Sequence, residues 1–186
     1  PMDQFASPDL LAVLTALGLR STLDRESVLR SAQSVEKMSA DPGKRDLAIN
    51  RAKMLLRFLD RRWDDIYSTQ LAEAQEKAAK AKGFFTSKAK TQEAQLNVQR
   101  ETAAAMTFVH ALRDIRWLPV VQQLPLENMP WRCTEDDVVA SAKDLRMSSD
   151  MWLASASMFI LDGDIRSPEL HEHFGVDAPL SGAVLT

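Results

Sequence analysis

The sequence predicts a mainly α fold of the α+β class: a helical bundle with a long antiparallel helical hairpin and a small C-terminal β element. Three observations predict it. After Pro42 no strong helix breaker occurs until Gly83, so a helix of about 40 residues, roughly 60 Å long, fits between them. The prolines at 119, 125 and 130 then stop helical geometry, because each removes a backbone donor and pushes the preceding residue towards extended conformation. Beyond Trp131 short apolar runs and an Asp162-Gly163 turn signal read as strands. We therefore expect one domain over 1–186, with a helical part over 1–116 and an extended or β part over 117–186 that carries a short terminal helix.

The helices follow from caps and periodicity. Ser7-Pro8-Asp9 followed by Leu10, Leu11, Val13, Leu14 and Leu17 reads as an N-cap, a proline at the first helical position and an apolar stripe that Gly18 ends. Asp24 or Thr22 caps the next helix, with Val28, Leu29, Ala32 and Val35 at helical spacing, and Asp41-Pro42-Gly43 closes it. In the long helix, Leu47, Met54, Leu55, Phe58, Leu59 and Ile66 form the expected buried face. Its second half is rich in alanine and lysine, turns at Gly83, and returns as a helix capped by Thr86 or Ser87 and running to about Arg116.

The stretch FVHALRDIRWLPVVQQLPLENMPW, residues 108–131, carries too much apolar area for a solvated linker, since each large side chain contributes about 2 kcal/mol when buried. It is expected to clamp onto the helices, with Trp117, Trp131 and Trp152 in the core or at its edge. Further on, Val138-Val139-Ala140 predicts a short strand, residues 143–146 a turn, and residues 151–161 a buried strand that returns through Ile165. Ser167-Pro168-Glu169 starts a last short helix that Gly175 ends.

Composition narrows the function. With 23 basic and 26 acidic residues the chain is close to neutral, which excludes a general affinity for nucleic acid or membrane surfaces; any such contact has to be local. A single cysteine, Cys133, excludes an internal disulfide and a cysteine-based zinc site, and no secretory leader is read at the start, so a reducing, cytoplasmic setting is expected. The Pro1-Met2 start and the abrupt end at Leu180-Ser-Gly-Ala-Val-Leu-Thr lead us to expect a piece of a longer chain.

No catalytic, cofactor-binding or metal-binding residue is predicted. His171 and His173 are two apart on a helix and diverge, Asp162 and Asp164 lack the remaining ligands of a calcium loop, and no glycine-rich phosphate loop, GxSxG or HExxH occurs. Cys133 has no neighbouring histidine to activate it. One local feature could bind a partner: Lys77, Lys80, Lys82, Lys88 and Lys90 flank Phe84 and Phe85 at the hairpin tip with no acid between them. It could meet an acidic protein, a nucleic-acid backbone or a membrane surface; the plainer reading, since charge runs usually just solvate, is a solvated tip with one or both phenylalanines tucked beneath.

Several segments, taken in order, resemble a repeated unit of sacsin and sacsin-like proteins. They are LLAVLTALGLRSTLDRESVLRSAQSVE at 10–36, AKMLLRFLD at 52–60, FVHALRDIRWLPV, LPLENMPW, DLRMSSDMWLASASMFILDGD and LHEHFGV. The chain departs from that pattern at Ala142, where proline is expected, and at Val176, where tryptophan is expected. The resemblance implies a non-catalytic helical scaffold or protein-interaction module of a giant co-chaperone involved in protein folding and quality control. Implied partners are neighbouring repeat domains, chaperones or client proteins, rather than membrane or nucleic acid, and no cofactor is implied.

Overall fold

A computed structural model describes residues 24–81, 88–122 and 131–176 of the chain. The architecture is mainly helical with a few small strands, as the sequence predicts. The predicted first helix over 8–17, the turn at Gly83 and the 123–130 part of the proline-rich stretch lie outside the described residues.

Helix α1 (Arg25–Ser39) starts at Asp24, whose side chain accepts the Ser27 N–H at 2.8 Å, and it buries Val28, Ala32 and Val35. A capping carboxylate of this kind satisfies one of the donors that a helix start leaves open. Asp41 repeats the device, accepting the Gly43 N–H across the 3-10 turn Pro42–Lys44. Helix α2 (Arg45–Ala81) runs 37 residues and kinks at Arg62, where the backbone leaves helical geometry (φ −125°, ψ 17°). Helix α3 (Lys88–Asp114) returns along it. Trp63 of α2 stacks on Phe108 of α3 with centroids 5.9 Å apart, while Ala74 and Ala94 face one cleft further along, so the pair is antiparallel.

The buried stripe of α2 keeps Leu59 and Ile66 of the predicted one, with Leu55 and Phe58 half-buried against the core, and departs from it at Leu47 and Met54. Ala48, Ala52, Leu56, Leu59, Trp63 and Ile66 are buried, whereas Leu47 and Met54 are exposed. Both stripes have helical spacing; Ala48 and Ala52 win because their small side chains let another element approach closely, an advantage that hydrophobicity alone does not register.

After α3 the chain becomes extended. Trp117 is fully buried and donates its indole N–H to the Leu112 carbonyl at 3.0 Å, which anchors the exit from the helix. Strand β1 (Leu118–Pro119) pairs antiparallel with β2 (Val139–Ala140), and β3 (Leu145–Arg146) pairs parallel with β4 (Phe159–Ile160). A bridge between Val120 and Leu161 joins the two ladders, with Val121 N–H donating to Ile160 O at 2.9 Å and Asp162 N–H to Pro119 O at 2.9 Å. Pro119 lacks a donor but keeps its acceptor, which is why a strand tolerates it here.

Two expectations for this region are corrected. Residues 151–161 are not one buried strand: Met151–Ala154 form a single helical turn, α4, and only Phe159–Ile160 extend. Both Ser157 and Met158 donate their N–H to Ala154 O, closing the backbone on itself before it can extend, and Trp152 and Leu153 are left 67% and 66% exposed. Trp152 is therefore not in the core, and Trp131 is half-buried. Nor does Asp162-Gly163 open a hairpin; β4 lies between the β1 and β3 segments, and the chain passes on to a helix. The predicted turn over 143–146 is half right, a 3-10 turn Ala142–Asp144 followed by β3.

The final helix matches its prediction. Helix α5 (Pro168–Phe174) has Ser167 as N-cap, accepting the Leu170 N–H, and Gly175 in the left-handed region (φ 66°) as its stop. Leu170 and Phe174 join Leu56, Leu59, Trp63, Leu112 and Trp117 in one hydrophobic cluster that both the helices and the β segments share.

Candidate functional site

Of the predicted partner-binding residues, Lys77 and Lys80 lie in the last turns of α2. Lys82, Phe84 and Phe85 lie outside the described residues, and Lys88 and Lys90 occupy the first turn of α3. Lys77 and Lys80 are exposed on α2, and acids meet both. Lys80 Nζ pairs with Glu76 one turn back at 2.6 Å, and Lys77 lines a cleft of about 370 Å³ that it shares with Glu73, Glu93 and Glu101. Glu73 and Glu76 precede the lysine run and reach it through helical spacing, and the return of α3 brings Glu93 and Glu101 from beyond it.

The other polar candidates are accounted for locally. Burial pushes the Cys133 thiol up, and the Asp137 carboxylate adds to this, so the thiolate is disfavoured. His173 packs against Trp63 and Tyr67, and its Nδ1 accepts the Trp63 N–H. Among the described residues no group of three or more His, Cys, Asp or Glu is placed to hold a metal ion, and no helix is long and apolar enough to cross a membrane.

Two surface features stand out instead. The first is an apolar groove of about 460 Å³ between α1 and α2, floored by Val35, Leu55 and Phe58. Met54, 67% exposed, forms one wall, and Arg30 and Arg51 stand at the rim. A thioether is flexible and polarisable, well suited to a surface that must accept another side chain. The second is a charged cleft of about 340 Å³ where the first half of α2 meets the 162–166 loop, with Arg57, Arg61 and Arg166 among its lining.

Sequence reasoning missed both. The groove could have been found by asking which of two competing apolar stripes on α2 a neighbour covers, since Met54 belongs to the uncovered one. For the cleft, the i,i+4 spacing of Arg57 and Arg61 was the available signal; the approach of Arg166 depends on tertiary structure. No protein-family model matches the chain, and no curated protein or solved structure matches it either.

Proposed function

We propose that the chain is a non-catalytic helical scaffold or protein-interaction module, acting in the cytoplasm among neighbouring repeats, chaperones or clients as its resemblance to sacsin repeat segments implies. The observation that supports this most is the groove between α1 and α2. An apolar floor with an exposed methionine wall suits the i, i+3, i+4 stripe of an amphipathic helix, and Arg30 and Arg51 at the rim favour a helix whose stripe is flanked by acids. The alternative, an acidic protein or nucleic acid bound through the tip at 77–90, has less support, because Lys77 and Lys80 already have carboxylates beside them.

The experiment is a titration with two designed helical peptides that share one leucine stripe, one flanked by glutamates and one by lysines. The acidic peptide should bind the wild-type chain, Met54→Asp should abolish binding, and Arg51→Glu should reverse the preference. Equal affinity of the two peptides, or binding that survives Met54→Asp, would overturn the proposal. A steep salt dependence that disappears only when the tip lysines are replaced would favour the alternative.

A further inference from the structure

We propose that the cleft between α2 and the 162–166 loop is an anion site that takes a phosphate group. The loop is held in place by specific contacts. Asp60 Oδ1 accepts the backbone N–H groups of Arg166 and Ser167 at 2.6 and 2.8 Å, Lys53 pairs with Asp162 at 2.6 Å, and Gly163 lies so close to α2 that a Cβ there would come within 3.2 Å of Leu56. These contacts occupy the lysine and turn Asp60 towards backbone donors. Arg57, Arg61 and Arg166 are left lining the same cleft with the single further carboxylate of Asp164, so cations outnumber it three to one, and among the described residues none of the three arginines is in an ion pair.

Each guanidinium is a planar fork of N–H donors that matches anionic oxygens in bidentate fashion and never loses its charge at neutral pH. A phosphate monoester offers three oxygens to these forks where a carboxylate offers two, and charge-assisted hydrogen bonds of this kind are the strong ones. Arg57 and Arg61 stand one turn apart on a single helix, while Arg166 comes from the loop that Asp60 anchors. The cleft belongs to other residues than the apolar groove, so it stands whether or not the groove binds a helix.

The test is an NMR titration of the arginine Nε–H signals at low salt, using inorganic phosphate and, separately, a phosphoserine peptide. Saturable shifts of Arg57, Arg61 and Arg166 are expected, together with a phosphate-dependent rise in Tm. Arg57→Gln and Arg61→Gln should each weaken binding by about tenfold, the loss of one charge-assisted contact. Both side chains are exposed, so an unchanged Tm without phosphate checks that the variants fold. Tighter binding of the peptide than of free phosphate identifies a phosphorylated partner, and equal binding identifies a small anion. Shifts that never saturate, or that chloride reproduces, would overturn the proposal, as would shifts persisting in the Arg57→Gln/Arg61→Gln double variant.

Discussion

The indole N–H of Trp63 donates to Nδ1 of His173 at 3.0 Å, tying the middle of the long helix to the last described helix. To accept this bond the imidazole must be neutral at Nδ1. Burial holds His173 below its ordinary value of 6.5, against the opposing pull of the Glu172 and Glu169 carboxylates. The ring also tilts against Tyr67, with centroids 4.2 Å apart.

That arrangement sets a pH dependence. With the folded pKa depressed, the unfolded chain takes up the proton first as pH falls, so the contribution is fully present above 6.5 and is lost below it, towards the folded value. Urea midpoints measured from about pH 7.5 down to about 5.5 should fall for the wild type. They should fall less for His173→Gln, which has no proton to gain.

Trp117 and Trp152 should behave oppositely. Trp117 is fully buried, with its N–H satisfied and its ring edge-on to Phe174 at 6.1 Å, so Trp117→Ala should cost about 3–5 kcal/mol through cavity formation. Trp152→Ala should change stability by less than about 0.5 kcal/mol, because that ring faces solvent. Chemical-denaturant midpoints at unchanged slope measure both.

Asp60→Ala removes the acceptor of two backbone N–H groups, and a loss of about 2 kcal/mol is expected. Asp60→Asn, which keeps a carbonyl at the same place, should lose clearly less. If the two variants unfold at the same denaturant concentration, the backbone bonds do not hold the loop.

Gly175→Ala should destabilise by about 1 kcal/mol, the cost of a Cβ in left-handed backbone, and the added atom would also come within 3.4 Å of the Arg113 guanidinium. Gly175→Asn should be milder, since asparagine tolerates that conformation. Thermal melts of the two variants side by side give the comparison.

What could be read from the sequence was local chemistry. Asp24, Asp41, Ser167 and Gly175 act through the few residues next to them, so their roles as caps and stops follow from residue type and spacing. Residues 151–161 failed because Met, Leu, Ala and Phe suit a buried strand and a short helix alike, and the choice was made by two N–H groups folding back on Ala154. The first turns of the α2 stripe failed for a related reason, while Leu59 and Ile66 held: whether Leu47 and Met54 or Ala48 and Ala52 face inward depends on how closely a neighbouring element packs, which the helix itself does not encode. At the candidate sites, Glu73 is an i,i+4 neighbour of Lys77 and follows from helical spacing, whereas Glu93 and Glu101 beside Lys77 and Arg166 beside Arg57 join residues distant along the chain, and no spacing rule reaches that far.

The bridge between Val120 and Leu161 also dictates an order of assembly. The 118–121 segment bonds to residues 138–140 on one side and 160–162 on the other, and β3 is reached only through β4. Helices α1 to α3 can pack on one another and β1 can pair with β2 as they are synthesised, whereas the β3–β4 ladder and the Val120–Leu161 bridge must wait until Leu161 has left the ribosome. Until then Val120 lacks its bridge to Leu161 and Trp117 lacks Phe174, which meets its ring edge-on. A nascent chain stalled before residue 159 should therefore present this stretch to whatever chaperone is near, and release it when the last strand arrives.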